Sequence, residues 1–196
     1  MDITTLLDLH EDIIIFDTEY TTWDGALERD WSGSGEHREL VQLAAAVVNL
    51  KEKRVTKTLL LLVKPRINYT LSDYFIHLTH VTQAEVDASG VDFLDAYQQF
   101  ISWVDNKTCF SYANSTKKMA DGDILQENII LYGLPDILPI TQFQNIQPIF
   151  QEAGVPVSDY NSGKLHKYFN IPVSGNEHDA MHDVNSLAQS LFTLYK

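Results

Sequence analysis

Two carboxylates near the start of the chain, Asp17 and Glu19, follow an apolar run at 13–16. Residues spaced i, i+2 on a β-strand point to the same face, so these two side chains would lie side by side. Buried at a strand end they would repel each other, and a divalent cation with oxygen ligands is the usual partner of such a pair. Taken alone, the pair could equally point into water, so other segments must supply further ligands.

A second acidic position lies near the end of the chain. Asp183 precedes Leu187 and Leu191 at helical spacing, which predicts a place on the core-facing stripe of a helix. An ionised aspartate is costly there unless it is paired or bound to a metal. His178 lies five residues earlier, at or before the helix start. From there its imidazole could reach a water molecule near a metal.

Two aspartates compete for a third position, at the start of a helix predicted over 121–132. Asp121 lies three, four and eight residues before apolar residues of this helix, so it should share their inward face. Asp123 would lie on the more solvent-exposed face of this helix. We expect Asp121 to point inward and keep Asp123 as its rival, although either could simply complement the helix N-terminus.

The same C-terminal segment permits a different interpretation. His178 and His182 are spaced i, i+4 with Asp179 beside the first, superficially like the His-Glu-x-x-His helix of zinc proteases. The acid is Asp rather than Glu, and no third ligand is signalled. The carboxylate site is therefore the preferred interpretation.

These residues would be positioned by three strands that come first in the chain and by further strands and helices that alternate after them. Apolar and β-branched runs predict strands, the last only weakly extended, over 12–18, 39–50, 55–63, 108–112 and 143–150. Helices are predicted over 92–105, 121–132, 160–169 and 180–195, and the segment 3–10 is expected to form a short helix or turn. One loop and one tight turn join the first three strands. We therefore predict an α/β fold, a mixed five-stranded sheet with an antiparallel start, flanked by helices.

Three local signals refine this outline. Thr82 and Glu85 form a capping box that marks a further helix start. Gly133 and Pro135 are expected to end the helix at 121–132. The segment 20–38 is rich in Thr, Trp, Gly and Ser, which predicts a long mobile loop.

The composition indicates one intracellular domain over residues 1–196, because this length suffices for one core and is short for two. A net charge of −13 argues against extended binding to duplex nucleic acid, but not against short single-stranded ends held through metals. No apolar run approaches the length of a membrane span. The single cysteine, Cys109, is expected to be buried and fits a reducing, cytoplasmic compartment.

Together these pieces resemble the DEDDh branch of the 3′→5′ exonucleases, the superfamily of ribonuclease T and the proofreading subunit of bacterial DNA polymerase III. The resemblance covers nearly the whole chain. The segment 39–45 is similar to the family's second strand, and 78–82 to its Leu-Thr-Gly-Ile-Thr turn, with His80 in place of Gly. The segment 162–171 is similar to the family's penultimate helix and its exit.

This resemblance implies a ribonuclease H-like fold and two bound Mg²⁺ or Mn²⁺ ions. Asp17, Glu19, Asp121 and Asp183 would be the metal ligands, and His178 would be the general base that activates water. The reaction implied is release of nucleoside 5′-monophosphates from the 3′ ends of single-stranded RNA or DNA.

Substrate contacts are expected next to the carboxylates. Thr18 would place its backbone near the terminal nucleotide, and Tyr20, Leu78 and Phe16 are candidates for stacking on its base, although each could equally be core. The alternative is a catalytically silent member of the family that acts as a protein- or nucleic-acid-binding module. The acidic surface and the long 20–38 loop motivate that alternative.

Overall fold

The central sheet of the computed structural model, which describes residues 1–113, 121–134 and 143–196, contains five strands. They are β1 (Asp12–Tyr20), β2 (Leu40–Asn49), β3 (Arg54–Leu62), β4 (Cys109–Ser111) and β5 (Phe143–Asn145). Their order is β3-β2-β1-β4-β5. The pairs β1–β2 and β2–β3 are antiparallel, whereas β1–β4 and β4–β5 are parallel. The predicted mixed sheet with an antiparallel start is confirmed.

Helices cover both faces of this sheet. In the described ranges they are α1 (Ile3–Leu9), α2 (Asp73–Thr79), α3 (Gln83–Ser89), α4 (Phe93–Val104), α5 (Asp121–Leu131), α6 (Gln147–Glu152), α7 (Leu165–Tyr168) and α8 (Ala180–Leu191). The capping box at the start of α3 is present, since Thr82 and Glu85 satisfy each other's backbone N–H groups. None of these helices is long and apolar enough to cross a membrane.

Alternation along β1 divides the core into two parts. Ile13 and Ile15 pack in one cluster with residues of α8, and Ile14 and Phe16 pack in another with residues of α4 and α5. Burying an aliphatic or aromatic side chain of this kind contributes about 1.5–3 kcal/mol. The strand is therefore held firmly on both faces, which is why its register is well defined.

The same alternation continues past the apolar run into the polar end of β1. Asp17 and Glu19 share the face that α8 covers, whereas Thr18 points toward the start of α5. The period of two residues thus directs successive polar side chains to two different helices.

Several predicted elements differ in extent. The segment 143–150 is extended only to Asn145, and α6 follows with Pro148 in its first turn, where proline favours a helix start. The helix predicted over 160–169 is a 3-10 turn at Ser162–Lys164 followed by the four-residue α7. The last helix ends at Leu191 rather than at residue 195.

The segment 21–38, hereafter the 21–38 loop, contains no helix or strand, as predicted. It is a series of hydrogen-bonded turns around the fully buried Ala26. Arg29 forms an ion pair with Glu36 within the loop, and its Nη1 donates to the carbonyl of Asp24 at 2.8 Å. The backbone N–H of Thr21 donates to the carbonyl of Glu39 at 2.9 Å and closes the loop.

Helix α5 ends close to where the sequence predicts. Gly133 adopts a positive φ of 63°, which glycine tolerates without strain, and its N–H donates to the carbonyl of Ile130 at 3.1 Å. Pro135, the second predicted terminator, lies outside the described residues. The predicted burial of Cys109 is confirmed.

Candidate metal and nucleotide site

Three carboxylates from opposite ends of the chain meet at the polar end of β1. Ligand oxygens of Asp17, Glu19 and Asp183 lie within 4.8 Å of one another, and all three side chains are buried. Helix α8 supplies Asp183 in its first turn. Its start is fixed to the sheet because the side-chain carbonyl of Gln42 on β2 accepts the N–H of Ala180 at 2.9 Å.

An open cavity lies above these three carboxylates, and Asp121 lines it from the other face of β1. Its Oδ1 accepts hydrogen bonds from the backbone N–H of Thr18 at 2.9 Å and from the Thr18 hydroxyl at 2.6 Å. Its side chain is buried, as expected, but it lies outside the group of three carboxylates defined above. Asp123 also lines the cavity and is half-buried, so the choice between the two as a metal ligand stays a prediction.

Burial and mutual repulsion make this group of carboxylates hard to ionise. Loss of solvation, followed by the charges of neighbouring carboxylates, raises the pKa of Asp17 and of Glu19 well above the usual values. Burial raises the pKa of Asp121 to about 6, although hydrogen bonds from Thr18 oppose the shift. Burial likewise raises the pKa of Asp183, opposed by the Ser162 hydroxyl. A divalent cation would compensate the charge that the fold concentrates here.

The surroundings of Asp183 provide a direct test of whether a cation fits. Its Oδ2 accepts the Ser162 hydroxyl at 2.7 Å, whereas its Oδ1 is buried with no hydrogen-bond partner in the described part of the chain. A β-carbon on Gly163 would overlap with Oδ1, so only glycine permits this approach. Buried carboxylate oxygens without partners are rare, and hard oxygen donors are the ligands that Mg²⁺ and Mn²⁺ prefer. The residues present therefore fit a divalent metal.

His178 lines the cavity two residues before α8 begins. It has a positive φ of 64°, and the next residue, Asp179, caps the helix by accepting the N–H of Met181 at 2.9 Å. The side chain thus lies outside the helix, as predicted, and a positive charge on its imidazole would lower the pKa of Asp183.

His182 does not share this environment. It is buried, and its Nδ1 and Nε2 lie 3.0 Å and 3.1 Å from the carbonyl oxygens of Ser174 and Gly163. Neither ring nitrogen is available to a metal. The His178–His182 pair therefore does not form the ligand set that a zinc-protease site requires.

The cavity above the carboxylates has a volume of about 610 Å³. Thr18, Tyr20 and Leu78 line it, which is where the sequence predicts substrate-binding side chains. Phe16 does not, because it is fully buried between Phe100 and Phe143, with ring centroids 5.4 Å away in each case. Its candidacy for base stacking is wrong, since it belongs to the core.

Sequence reasoning missed several residues that shape this site. Trp31 and Arg38 of the 21–38 loop line the cavity, and Ser162 and Gly163 surround Asp183.

Glu39 is fully buried, and its carboxylate accepts the backbone N–H groups of the segment 66–68 and the hydroxyl of Tyr132. A carboxylate directly before an apolar strand was a visible signal, but its partners lie about 30 and 90 residues away, at separations for which sequence spacing gives no pairing rule.

Comparison with known proteins agrees with this geometry. Residues 14–191 match the family model RNase T, described as exonuclease, so the chain belongs to the RNase T exonuclease family. A search of curated proteins found no match. The sheet topology and the solved structures below show a ribonuclease H-like fold, and the family match agrees with the predicted resemblance to the 3′→5′ exonucleases.

Several solved structures of nucleases have a similar fold. The nuclease domain of 3′hExo, a DEDDh family member bound to rAMP, has a TM-score of 0.79 at 20% identity, covering 94% of this chain and 91% of that chain. Cell-death related nuclease 4 has a TM-score of 0.73 at 21% identity, covering 93% and 63%. Exonuclease I of E. coli in complex with a dA16 oligonucleotide has a TM-score of 0.65 at 16% identity, covering 93% and 40%.

Proposed function

We propose that this protein is a metal-dependent 3′→5′ exonuclease that releases nucleoside 5′-monophosphates from single-stranded RNA or DNA. The observation that carries the proposal is the group of three buried carboxylates, Asp17, Glu19 and Asp183, at the floor of an open cavity. In a member of an exonuclease family, such a group is best explained as a metal site.

The metal ligands would be Asp17, Glu19, Asp121 and Asp183, and the ions two Mg²⁺ or Mn²⁺. When bound, such ions offset the charge of the scissile phosphate and lower the pKa of the attacking water. The chain's own contribution is to hold the four carboxylates on rigid elements, two on β1 and one at the start of each of α5 and α8.

His178 would act as the general base that takes a proton from the attacking water. Its position outside α8 leaves the imidazole facing the cavity rather than packed in the helix. The carboxylate of Asp183 would stabilise the imidazolium that forms when the proton is transferred.

The terminal nucleotide would occupy the cavity, whose volume lies within the usual 300–1,000 Å³ of small-molecule sites. Tyr20 and Leu78 would contact its base and sugar, and Thr18 would act by orienting Asp121 beside it. The rAMP bound to 3′hExo and the oligonucleotide bound to E. coli exonuclease I support a single-stranded substrate and a monophosphate product.

The decisive assay uses 5′-labelled single-stranded RNA and DNA oligomers with Mg²⁺, Mn²⁺ or EDTA, resolved as product ladders. We expect ladders that shorten from the 3′ end with either metal and no cleavage in EDTA. Asp17→Ala and His178→Ala should abolish cleavage. Matched substitutions outside the site, Asp8→Ala and His10→Ala, should leave it intact.

Four results would contradict the proposal. Endonucleolytic fragments, or cleavage that persists in EDTA, would exclude the mechanism, and full activity in either site variant would exclude the assigned residues. Absence of both metal binding by calorimetry and nuclease activity would favour a catalytically silent binding module.

A further inference from the structure

We propose that Arg38 binds the backbone phosphate on the 5′ side of the scissile one, so that the enzyme prefers oligonucleotides over smaller phosphodiesters. This inference rests on the proposed exonuclease function and adds a specificity-determining residue to it. The observation that carries it is the position of Arg38 on the cavity wall formed by the 21–38 loop.

The charged side chains that line the cavity are mostly negative. Among the described residues that line it, the only Arg or Lys is Arg38. The carboxylates on the same walls are Asp17, Glu19, Asp30, Asp121, Asp123 and Asp183. Divalent ions would offset the carboxylate floor and the scissile phosphate. A strand carries another phosphate at each further nucleotide, and beside so many carboxylates that phosphate needs a cation of its own.

The guanidinium of Arg38 is held in place before any substrate arrives. Its central carbon lies 5.3 Å from the ring centroid of Trp31 and 5.8 Å from that of Tyr20, and the two rings lie 5.6 Å apart. Nη2 also forms an ion pair with Glu127 on α5. The two cation–π contacts reduce the conformational entropy that binding a ligand would otherwise cost.

The backbone of Arg38 is fixed as well. Its carbonyl accepts a hydrogen bond from Nδ2 of Asn128 at 2.8 Å, and the Oδ1 of the same Asn128 accepts the N–H of Leu40 at 3.0 Å. Arg38 is therefore tied to α5, the helix that begins with Asp121. Its distance from the predicted metal site is set by regular structure rather than by a free loop.

Arginine is suited to this role because its planar guanidinium presents five N–H donors that match phosphate geometry. Glu127 is 41% exposed, so its ion pair with Arg38 lies at the solvent edge of the site. A phosphate could be bound beside Glu127 or in exchange for it, since an ion pair of this exposure contributes little.

The test compares two substrates on the same enzyme preparation. One is a trinucleotide, and the other is the p-nitrophenyl ester of thymidine 5′-monophosphate, which keeps a terminal nucleotide and a scissile phosphodiester but has no further phosphate. We expect Arg38→Gln to lower the ratio of kcat/KM for the trinucleotide to that for the ester about tenfold, the usual effect of losing one charged hydrogen bond. Arg54→Gln removes an exposed arginine of β3 and should leave the ratio unchanged.

A neutral methylphosphonate at the linkage on the 5′ side of the scissile phosphate tests the contact itself. We expect it to lower kcat/KM about tenfold in the wild type and to have little further effect in Arg38→Gln, because the same contact is already lost. Equal losses in both enzymes would overturn the assignment. So would an unchanged substrate ratio in Arg38→Gln.

If Arg38 acted only through its charge on the whole site, a second substitution that balances this charge should compensate its loss. The double variant Arg38→Gln/Glu127→Gln removes one positive and one negative charge and so keeps the net charge of the wild type. Recovery of the wild-type substrate ratio in this variant would overturn a specific contact between Arg38 and the phosphate. If the wild type cleaves neither substrate with Mg²⁺ or Mn²⁺, the proposed function fails and this inference falls with it. If the wild type cleaves both substrates and the ratio is insensitive to Arg38, only the inference fails.

Discussion

Thr18 donates two hydrogen bonds to a single oxygen of Asp121, one from its backbone N–H at 2.9 Å and one from its hydroxyl at 2.6 Å. Thr18 lies on β1 between Asp17 and Glu19 but points to the opposite face. This pair of hydrogen bonds therefore links the strand that carries two carboxylates to the helix that carries a third.

Replacing Thr18 by Val should shift the pH dependence of catalysis. The hydroxyl lowers the pKa of Asp121, which burial raises to about 6. Without it the pKa rises further, and Asp121 binds metal only when ionised. As the pH is lowered, the variant should therefore lose activity earlier than the wild type. The acidic limb of its pH profile should lie about one pH unit higher, the effect of one charged hydrogen bond.

The pH profile of kcat/KM at a fixed, subsaturating metal concentration measures this shift, because saturating metal would itself hold Asp121 ionised. Thr18→Ser keeps the hydroxyl and is the matched control, so its acidic limb should coincide with that of the wild type. Identical limbs in Thr18→Val and the wild type would show that Asp121 does not control the profile.

Replacing Asp17 by Asn should stabilise the metal-free protein at pH 8. The folded-state pKa of Asp17 is raised by burial and by neighbouring carboxylates, so the folded state holds the proton more tightly than the unfolded state does. Stability from this group therefore falls as pH rises from the unfolded value of about 4 toward the folded one. Removing the charge should add about 0.5–2 kcal/mol at pH 8, the range typical of stabilising substitutions.

Urea unfolding in EDTA at pH 8 and at pH 5 measures the effect. The gain from Asp17→Asn should be larger at pH 8, where the wild-type carboxylates are most ionised. Addition of Mg²⁺ should stabilise the wild type and have a much smaller effect on the variant. A variant less stable than the wild type at pH 8 would contradict the repulsion argument.

Replacing Glu39 by Gln should destabilise the fold without acting on the metal ligands. The buried carboxylate accepts the N–H groups of Arg66 and Ile67 at 2.7 Å and 2.9 Å, and the Tyr132 hydroxyl at 2.5 Å. An amide offers one acceptor oxygen where the carboxylate has two, and the second oxygen now accepts the N–H of Asn68. An NH₂ group in that place would leave the N–H without its acceptor, at a cost of about 1–3 kcal/mol. Urea unfolding should show a lower midpoint, and metal affinity measured below the transition should stay close to that of the wild type.

The parts of the site that follow from local periodicity were predictable from the sequence. A period of two places Asp17 and Glu19 on one face of β1, and a period of 3.6 places Asp183 on the buried stripe of α8. Phe16 could not be assigned in this way, because an apolar residue at a strand end serves equally well in a core or a cavity wall. Arg38 depends on how an irregular loop returns to α5, which no periodic pattern encodes.

Gly163 is a position where one methyl group should impair metal binding. Its Cα lies against Oδ1 of Asp183, so a β-carbon there would push the carboxylate away or displace the 3-10 turn. The turn is held on α8 by the Ser186 hydroxyl, which donates to the carbonyl of Ser162 at 2.6 Å. We expect Gly163→Ala to lower Mg²⁺ affinity at least about tenfold, as for other losses of support around a metal ligand.

Calorimetric titration with Mg²⁺ measures this loss. Gly35→Ala adds the same methyl group in the 21–38 loop, where a β-carbon would meet no other atom within 4 Å, although its φ of 77° adds backbone strain. That variant should retain the Mg²⁺ affinity of the wild type. Equal affinities in Gly163→Ala and the wild type would show that the close approach of Gly163 does not position the Asp183 carboxylate for metal binding.

Asp121 and Asp123 offer a matched pair for identifying the fourth carboxylate of the site. Both line the cavity and both lie in the first turn of α5, but only Asp121 is buried and held by Thr18. If the buried aspartate is the fourth metal ligand, Asp121→Asn should reduce kcat at least about a thousandfold at saturating metal. This is the scale of losing a group that stabilises charge in the transition state. Asp123→Asn makes the same chemical change two residues away and should cost less than about tenfold. The reverse order of the two losses would assign the metal site to Asp123 and leave Asp121 with a structural role at the start of the helix.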